Sequence, residues 1–192
     1  MPNYYDLIVI GGGVLGTAHA YHALTRGKRV LLLERSARPA GATVQNFGQV
    51  VPSGQAMDRW LDYGRVGVEC YQLISEEVDI SFRQTGSYYI ASTPGEMAVA
   101  EETAQMHALM GYPVELLSPS DIRQRISNVQ DGYNHGGLYY PEDGNVQPGE
   151  RIHRLHDYLG RKYTIDIHDS HTAVHCYVDS DTAYVIDNHD NK

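Results

Sequence analysis

The sequence has no long apolar segment, few cysteines and no excess of positive charge. No run approaches the roughly 18 consecutive apolar residues that a membrane-spanning helix needs. The 192 residues include only two cysteines, which excludes a framework of disulfide bonds. The N-terminus enters an apolar segment directly, without the charged region of a signal peptide. We therefore expect a protein of the reducing cytoplasm with no membrane span.

The charge of the chain is strongly negative. Lys and Arg number 15 against 24 Asp and Glu, which gives a formal net charge of −9. No basic stripe is present that could hold nucleic acid by its phosphates. Apolar residues make up 42% and charged residues 20%, proportions typical of a folded globular protein. These properties exclude a disordered tail and predict that nucleic acid is not a partner.

A strand, a helix and a second strand follow one another at the start of the chain. Residues 6–10 read Asp-Leu-Ile-Val-Ile, a pattern typical of a strand buried on both faces of a parallel sheet. From Val14, apolar residues recur at helical spacing until Gly27. Residues 29–34 form a second apolar segment that ends at Glu34. This order predicts an α/β fold with a parallel, Rossmann-like sheet.

The turn between the first strand and the helix has the spacing Gly11-x-Gly13-x-x-Gly16. Gly11 permits a tight turn, Gly13 removes the side chain that would keep a pyrophosphate away from the backbone, and Gly16 lets the helix press on the sheet. The helix begins at Val14 and Leu15, where free N–H groups and the positive end of the helix dipole face the phosphates. These residues predict a dinucleotide-binding site.

Glu34 ends the second strand, 18 residues after Gly16. A carboxylate at this position accepts hydrogen bonds from the ribose hydroxyls of adenosine, and it repels a 2′-phosphate, which argues against NADP. Two other interpretations fit the same residues. The glycines could simply close a tight turn, or the protein could be a pyridine-nucleotide dehydrogenase, which has the same first turn.

The loop after Glu34 carries a family resemblance. It runs from Arg35 through Gly41-Ala42-Thr43 to Asn46-Phe47-Gly48 and on to Val51-Pro52-Ser53-Gly54-Gln55. Together with the glycine turn, this stretch resembles the N-terminus of the FAD-dependent oxidoreductases of the D-amino-acid oxidase and glycine oxidase group. Within that group it is most similar to a clade associated with phosphonate catabolism. A pyridine-nucleotide dehydrogenase has no reason for such a loop.

The resemblance implies that FAD is the cofactor, and it assigns residues to each part of the molecule. They are Glu34 and Arg35 at the adenosine, Val174 at the adenine through its backbone, Ala42 and Thr43 at the pyrophosphate, and Asn46, Phe47 and Gly48 near the flavin ring. With Gly11, Gly13, Val14, Leu15 and Gly16 of the turn, these residues form the predicted cofactor site.

The rest of the chain alternates between helical and strand patterns. Four helices are predicted, over 56–78, from Pro94 to Met110, from Pro119 and from Pro148. Strands are predicted over 114–117, 136–140 and 163–168. Two further strand pairs are predicted, a hairpin of 80–84 with 87–91 and a meander of 174–179 and 183–188. The resemblance implies an FAD-binding domain of residues 1–80 and 148–192, with residues 81–147 as an inserted, partial substrate domain of α+β structure.

The chain stops after the predicted meander. The resemblance implies a further parallel strand and a C-terminal half that complete the substrate domain and the flavin site. A sheet without a central strand leaves backbone N–H and C=O groups unpaired. We therefore expect a fragment, a truncated product or one part of a split enzyme, whose partner is the missing half or a second copy of the chain.

The resemblance also implies a reaction, namely oxidation of the C–N bond of a small amine or amino acid by hydride transfer to FAD. The finer resemblance implies an aminophosphonate, whose anionic group needs a cation. Arg59, Arg65 and Arg83 are candidates for that cation, and Tyr88 or Tyr89 for substrate contact. No catalytic acid or base is assigned. The alternatives are an inactive remnant or subunit and, less favoured, an NAD-dependent dehydrogenase.

Histidines are frequent in the last part of the chain. His168, His171 and His175 span a predicted strand, a turn and another strand, so their imidazoles are not expected to converge on a metal ion. His153 and His156 lie three residues apart on one predicted helix, where solvated or capping side chains are the expected role. The sequence therefore predicts no metal site.

Overall fold

The computed structural model describes residues 4–130, 132, 134–189 and 191. In chain order, the strands are β1 Leu7–Ile10, β2 Val30–Glu34, β3 Gln49–Val50, β4 Ser87–Ile90, β5 Glu115–Leu117, β6 Gly137–Tyr140, β7 Gly144–Asn145, β8 Ile165–Asp169, β9 Ala173–Asp179 and β10 Thr182–Asp187. The helices are α1 Val14–Leu24, α2 Arg59–Ser75, α3 Pro94–Leu109, α4 Pro119–Arg125 and α5 Pro148–Lys162, with a 3₁₀ turn at Pro52–Gly54. No helix in this described part is long and apolar enough to cross a bilayer.

The chain divides into two compact units. Unit 1 comprises Met1–Gly48, Glu77–Ser81 and Gln147–Lys192, and unit 2 comprises Gln49–Glu76 and Phe82–Val146. Residues 49–76 therefore pack with unit 2, whereas the sequence analysis assigned them to the first domain. The assignment of functions to the two units remains a prediction.

Unit 1 is built on a parallel sheet with the strand order β1-β2-β8. The central strand β2 pairs on both sides, and its Val30 and Leu32 are wholly buried, as the continuous apolar sequence predicts. β8 joins the edge of β2 in parallel, which confirms that the chain after α5 returns to the sheet. β9 and β10 form an antiparallel pair, which confirms the meander.

The helix α5 connects unit 2 back to the sheet of unit 1. Pro148 occupies its first turn, where the missing N–H costs nothing, and Arg161 and Lys162 lie in its last turn, near the negative end of the dipole. Its buried face carries Ile152 and Leu159, which are completely inaccessible to solvent. This face also buries a histidine, described below.

Unit 2 consists of an antiparallel sheet of order β4-β6-β5 with the helices α2, α3 and α4, and a short β3–β7 pair. Its apolar cluster is formed by Leu61, Tyr112, Leu138 and Tyr140. The α+β composition predicted for the inserted segment is therefore observed. α2 joins this unit because Leu61 belongs to the cluster and because Tyr71 stacks on Phe82, with ring centroids 5.4 Å apart.

The predicted hairpin of residues 80–84 with 87–91 is wrong. β4 pairs with β6 instead, with Ser87 opposite Tyr140 and Tyr88 opposite Tyr139. Arg83 forms an isolated bridge with Asn145. The rings of Tyr88 and Tyr139 lie 4.7 Å apart, and such cross-strand aromatic pairs stabilise the long-range register over the local turn.

Candidate functional site

The glycine turn after β1 brings α1 very close to the strand. Gly11 has a φ of 105°, a conformation that side chains with a Cβ rarely adopt, and its N–H donates to the Leu33 carbonyl at 2.7 Å. A Cβ on Gly16 would clash with the Gly11 carbonyl oxygen and lie 3.0 Å from Val9 Cγ1. α1 therefore packs on β1 at a distance that only glycine allows at this position.

The first turn of α1 meets the loop that follows β2. The Val14 N–H donates to Thr43 Oγ1 at 2.9 Å, and a Cβ on Gly13 would lie 2.9 Å from the same oxygen. Gly13, the N-cap residue, has no side chain that could cap this helix, and the first turn of the helix contains no acidic residue. Gly13 thus makes room for the Thr43 hydroxyl beside the first backbone amides of α1, and we call this arrangement the cradle.

The carboxylate of Glu34 is fixed beside this turn. One oxygen, Oε2, accepts the Gly12 N–H at 2.8 Å, and the other, Oε1, accepts the Ser36 N–H at 2.9 Å. The side chain is buried, yet each carboxylate oxygen has further lone pairs for a ligand hydroxyl. The acid at the tip of β2 is therefore preorganised next to the cradle.

The Asn46 side chain makes three hydrogen bonds within the loop from Ala42 to Gly48. Asn46 Nδ2 donates to the carbonyl oxygens of Ala42 and Thr43 at 2.7 and 2.8 Å, and Asn46 Oδ1 accepts the Gly48 N–H at 2.7 Å. Gly48 has a φ of 71°, which favours glycine. In this structure Asn46 shapes the loop, and the adjacent Phe47 ring is 93% exposed.

The predicted site residues fall into two groups. The residues of the first group contact one another at the turn and in the loop next to it. They are Gly11, Gly13, Val14, Gly16, Glu34, Ala42, Thr43, Asn46 and Gly48. The others are exposed: Leu15, Arg35 and Phe47 project from the same region, and Val174 lies near the start of β9. That strand starts close to the tip of β2, because the His171 N–H donates to the Glu34 carbonyl at 2.9 Å.

The sequence analysis missed two residues behind the turn, Thr17 and His156. Thr17 Oγ1 donates to the Gly12 carbonyl at 3.2 Å, and His156 Nε2 lies 3.0 Å from the same hydroxyl. His156 is 9% exposed, so the solvated or capping role expected for it is wrong. The signal was present in the sequence, since His156 shares the helical stripe of Ile152, Leu155 and Leu159.

Burial lowers the pKa of the His156 imidazole, and the nearby Asp169 carboxylate partly opposes this effect. The imidazole is therefore neutral at pH 7. His156 also lines a cleft of about 450 Å³ within unit 1. The cleft is lined by Ala37, Arg38, Pro39, His153, His156, Asp157, Ile167 and Asp169.

The three histidines weighed as metal ligands do not form a site. The ring centroids of His168 and His171 are 4.9 Å apart, and the His175 ring lies against Tyr177. Over the described ranges, no group of three or more His, Cys, Asp or Glu side chains is arranged to hold a metal ion.

The candidate substrate residues lie in unit 2 and are largely engaged there. Arg65 pairs with Glu142 at 3.2 Å, and Arg83 donates to the Phe82 carbonyl at 2.8 Å. Arg59 is exposed at the first residue of α2. Of the two tyrosines, Tyr88 rests on the Tyr139 ring, and the Tyr89 hydroxyl lies 3.1 Å from Ser53 Oγ.

Ser53 belongs to a buried network around a carboxyl group. Asp143 is completely buried and accepts hydrogen bonds from the Ser53 and Ser87 hydroxyls and, at 3.1 Å, from the Tyr112 hydroxyl. Burial and the neighbouring Asp143 raise the pKa of Tyr112 well above its ordinary range, so this phenol remains a donor. The sequence analysis did not identify this network.

Known proteins resemble the chain in both sequence and fold. Human mitochondrial dimethylglycine dehydrogenase is 31% identical over 152 residues, which cover 74% of this chain and 17% of that protein. The 4-methylaminobutanoate oxidase (formaldehyde-forming) of Paenarthrobacter nicotinovorans is 26% identical over 155 residues, covering 78% of this chain and 18% of the oxidase. The crystal structure of glycine oxidase from Geobacillus kaustophilus superposes with a TM-score of 0.87 at 19% identity, covering 97% of this chain and 52% of that one.

The chain thus spans less than a fifth of the length of these two sequence relatives and about half of the glycine oxidase chain. The superposition confirms the predicted fold class, a Rossmann-like FAD-binding fold with an inserted α+β segment. The characteristic sequence of the FAD dependent oxidoreductase (DAO) family matches residues 6–189. The chain therefore belongs to this family, whose cofactor is FAD.

Proposed function

We propose that the turn and cradle of unit 1 bind the ADP part of FAD, and that the complete protein oxidises the C–N bond of an amine or amino acid. The observation that carries the proposal is the juxtaposition of three features within one turn. The Gly13 cradle, the start of α1 without an N-cap side chain and the fixed Glu34 carboxylate match a pyrophosphate joined to a ribose.

The fit extends to each group of the nucleotide. The backbone amides at Gly13, Val14 and Leu15 would bind the pyrophosphate, with Thr43 exchanging its bond to the Val14 N–H for one to a phosphate oxygen. Glu34 would accept from the ribose hydroxyls with the lone pairs that its two backbone contacts leave over. Val174 and Arg35 would border the adenosine, and the exposed Phe47 would gain a partner in the flavin ring.

When bound, FAD supplies the hydride acceptor of the reaction. The residues of this chain bind and orient it, and the neutral amine needs no acid or base from them. Because no carboxylate of the first turn of α1 opposes the phosphates, their charge is stabilised by the helix dipole.

For the substrate, we propose an amine that carries an anionic group. The names of the two sequence relatives describe amino acids with methylated nitrogens, dimethylglycine and 4-methylaminobutanoate. An aminophosphonate is the finer proposal. Of the three candidate cations we favour Arg59, because Arg65 and Arg83 already have partners within unit 2.

We also propose that a further polypeptide segment completes the site. Among the described residues β1 pairs with β2 alone, which leaves its other edge open, and Ile10 at its end is 56% exposed. A downstream half or a second copy of the chain would cover this edge. Co-expression with the polypeptide encoded downstream is expected to tighten FAD binding; amine oxidation by the 192-residue chain alone as a monomer would contradict this proposal.

Titration with FAD tests the cofactor site directly. The purified protein is expected to change the fluorescence and absorbance of FAD saturably, without competition from NAD. A G13V variant fills the cradle and should abolish the change, whereas G160A, on the open surface of α5, should not. Flavin spectra that do not respond to the wild-type protein would contradict the proposal, and displacement by NAD would favour the dehydrogenase alternative. Dye reduction with dimethylglycine, sarcosine, glycine and an aminoalkylphosphonate then ranks substrates for the protein co-expressed with the downstream polypeptide.

A further inference from the structure

We propose that His156 is a positioning residue for the phosphate-binding amide of Gly13, acting through the Thr17 hydroxyl and the Gly12 carbonyl. The inference rests on the proposed FAD site and adds to it a residue 139 positions from Thr17 along the chain. This histidine is not part of the glycine motif at the turn.

Both the N–H and the carbonyl of Gly12 are hydrogen-bonded. Its N–H donates to Glu34 Oε2 at 2.8 Å, and its carbonyl accepts from Thr17 Oγ1 at 3.2 Å. A Cβ on Gly12 would lie 3.0 Å from His156 Cε1, so the imidazole packs directly against the turn. Gly12 therefore has a role that the spacing Gly-x-Gly-x-x-Gly does not assign to it.

One tautomer of His156 makes both contacts of the Thr17 hydroxyl hydrogen bonds, and the proposal adopts it. The Thr17 hydroxyl has a single proton, which it donates to the Gly12 carbonyl. The 3.0 Å contact between Thr17 Oγ1 and His156 Nε2 is then a hydrogen bond only if Nε2 carries the proton. His156 thus donates to Thr17, Thr17 donates to Gly12, and the three groups form a directed chain.

This series of hydrogen bonds orients the N–H of the next residue, Gly13. A trans peptide is planar, so the carbonyl of Gly12 and the N–H of Gly13 point in opposite directions. No peptide bond among the described residues is cis. Because the carbonyl is anchored toward Thr17 and His156 in the interior, the Gly13 N–H faces the opposite side, where the cradle is. Loss of the anchor frees this peptide to rotate, and the amide is then no longer preorganised for phosphate.

The charged neighbours of His156 come from every element around it. Glu34 lies on β2, Asp169 on β8 and His153 on α5, while Arg38 and Asp157 line the cleft. Burial lowers the pKa of His156, which keeps it neutral and leaves Nδ1 as an acceptor. A neutral donor can hold Thr17 without placing a buried positive charge behind the turn.

Four variants test the proposal on the full chain. H156L removes the donor, T17V removes the hydroxyl, H156Q keeps an N–H donor that can reach Thr17, and H153L changes the neighbouring cleft histidine as a matched control. Two quantities are measured at pH 8, the dissociation constant of FAD and the hydrogen-exchange rate of the Gly13 amide in the protein without FAD.

H156L and T17V are expected to weaken FAD binding about fivefold to tenfold, the effect of one hydrogen bond, and to accelerate Gly13 exchange by a similar factor. H156Q and H153L should stay within about twofold of wild type. Wild-type FAD affinity and wild-type exchange in T17V would overturn the inference, and T17V decides it even if H156L does not fold. If the wild-type chain binds no FAD, the proposed function fails, while the exchange rates alone still decide whether His156 positions the Gly13 amide.

Discussion

The Glu34 carboxylate accepts a hydrogen bond from the Gly12 N–H at 2.8 Å, so the acid that ends β2 also holds the turn that ends β1. The two strands are adjacent and parallel, with Ile10 opposite Leu33. A motif normally described as a ribose-binding acid and a phosphate-binding turn is here one connected structure. If FAD binds as proposed, ligand binding and local stability depend on the same side chain.

Replacement of Glu34 should therefore lower both the stability and the FAD affinity of the protein. In E34A the Gly12 and Ser36 N–H groups lose their acceptor, which costs about 1–3 kcal/mol in the free energy of unfolding. E34Q keeps one acceptor oxygen and should lose less. Urea unfolding measures the difference, and E102A, at an exposed position of α3, is the control, with an expected change within about 0.5 kcal/mol. An E34A midpoint equal to that of wild type would contradict this role.

Gly16 should tolerate no side chain. In G16A the new methyl group meets the Gly11 carbonyl oxygen, and α1 must move away from β1, at a cost of about 3 kcal/mol. Gly160 provides the matched control, because nothing lies within 4 Å of a Cβ there and alanine is the better helix former. G160A should gain about 0.5–1 kcal/mol. Thermal unfolding compares the two, and a G16A protein as stable as G160A would disprove the close approach.

Asp143 should be the most sensitive carboxyl group of unit 2. In D143N an amide donor replaces an acceptor that faces the hydroxyls of Ser53, Ser87 and Tyr112. One of these hydroxyls loses its partner in a buried setting, which should cost about 1–3 kcal/mol. D181N, in the exposed turn between β9 and β10, is the control. Equal chemical unfolding of D143N and D181N would show that the network does not stabilise unit 2.

The sequence predicted those parts of the site whose determinants are local. The glycine spacing between β1 and α1, and the acid at the end of β2, need only neighbouring residues to be interpreted, because strand, turn and helix each have their own pattern. The returning strand β8 was predicted in the same way, since its apolar alternation follows directly after the helix α5.

The features that the sequence could not predict depend on contacts between residues that are far apart along the chain. The contact of His156 with Thr17 and the register of β4 against β6 arise from packing, and no local pattern specifies them. For the hairpin predicted between residues 80–84 and 87–91, the favourable turn sequence Thr85-Gly86 between them suggested the wrong strand partner. Asp143 had no signal at all, because one aspartate in a turn-rich segment looks like an ordinary solvated residue.

The stability of the protein should fall in mildly acidic solution because of two buried histidines. One is His107, a residue of α3 that is 1% exposed, and the other is His156. Burial lowers the pKa of both imidazoles below the ordinary value of about 6.5, so in mild acid the unfolded state binds more protons than the folded state. Their contribution is fully present above about pH 6.5 and is lost as the pH falls through the folded pKa values, with a slope of up to about 1.4 kcal/mol per pH unit for each histidine.

The free energy of unfolding, measured by urea between pH 8 and pH 5, tests this origin. H156Q should reduce the slope below pH 6.5, and the double variant H107Q/H156Q should reduce it further. H156Q is informative because its amide can still donate to Thr17 but cannot take up a proton in this range. A slope equal to wild type in the double variant would mean that other groups cause the acid sensitivity and that the two imidazoles titrate alike in the folded and unfolded states.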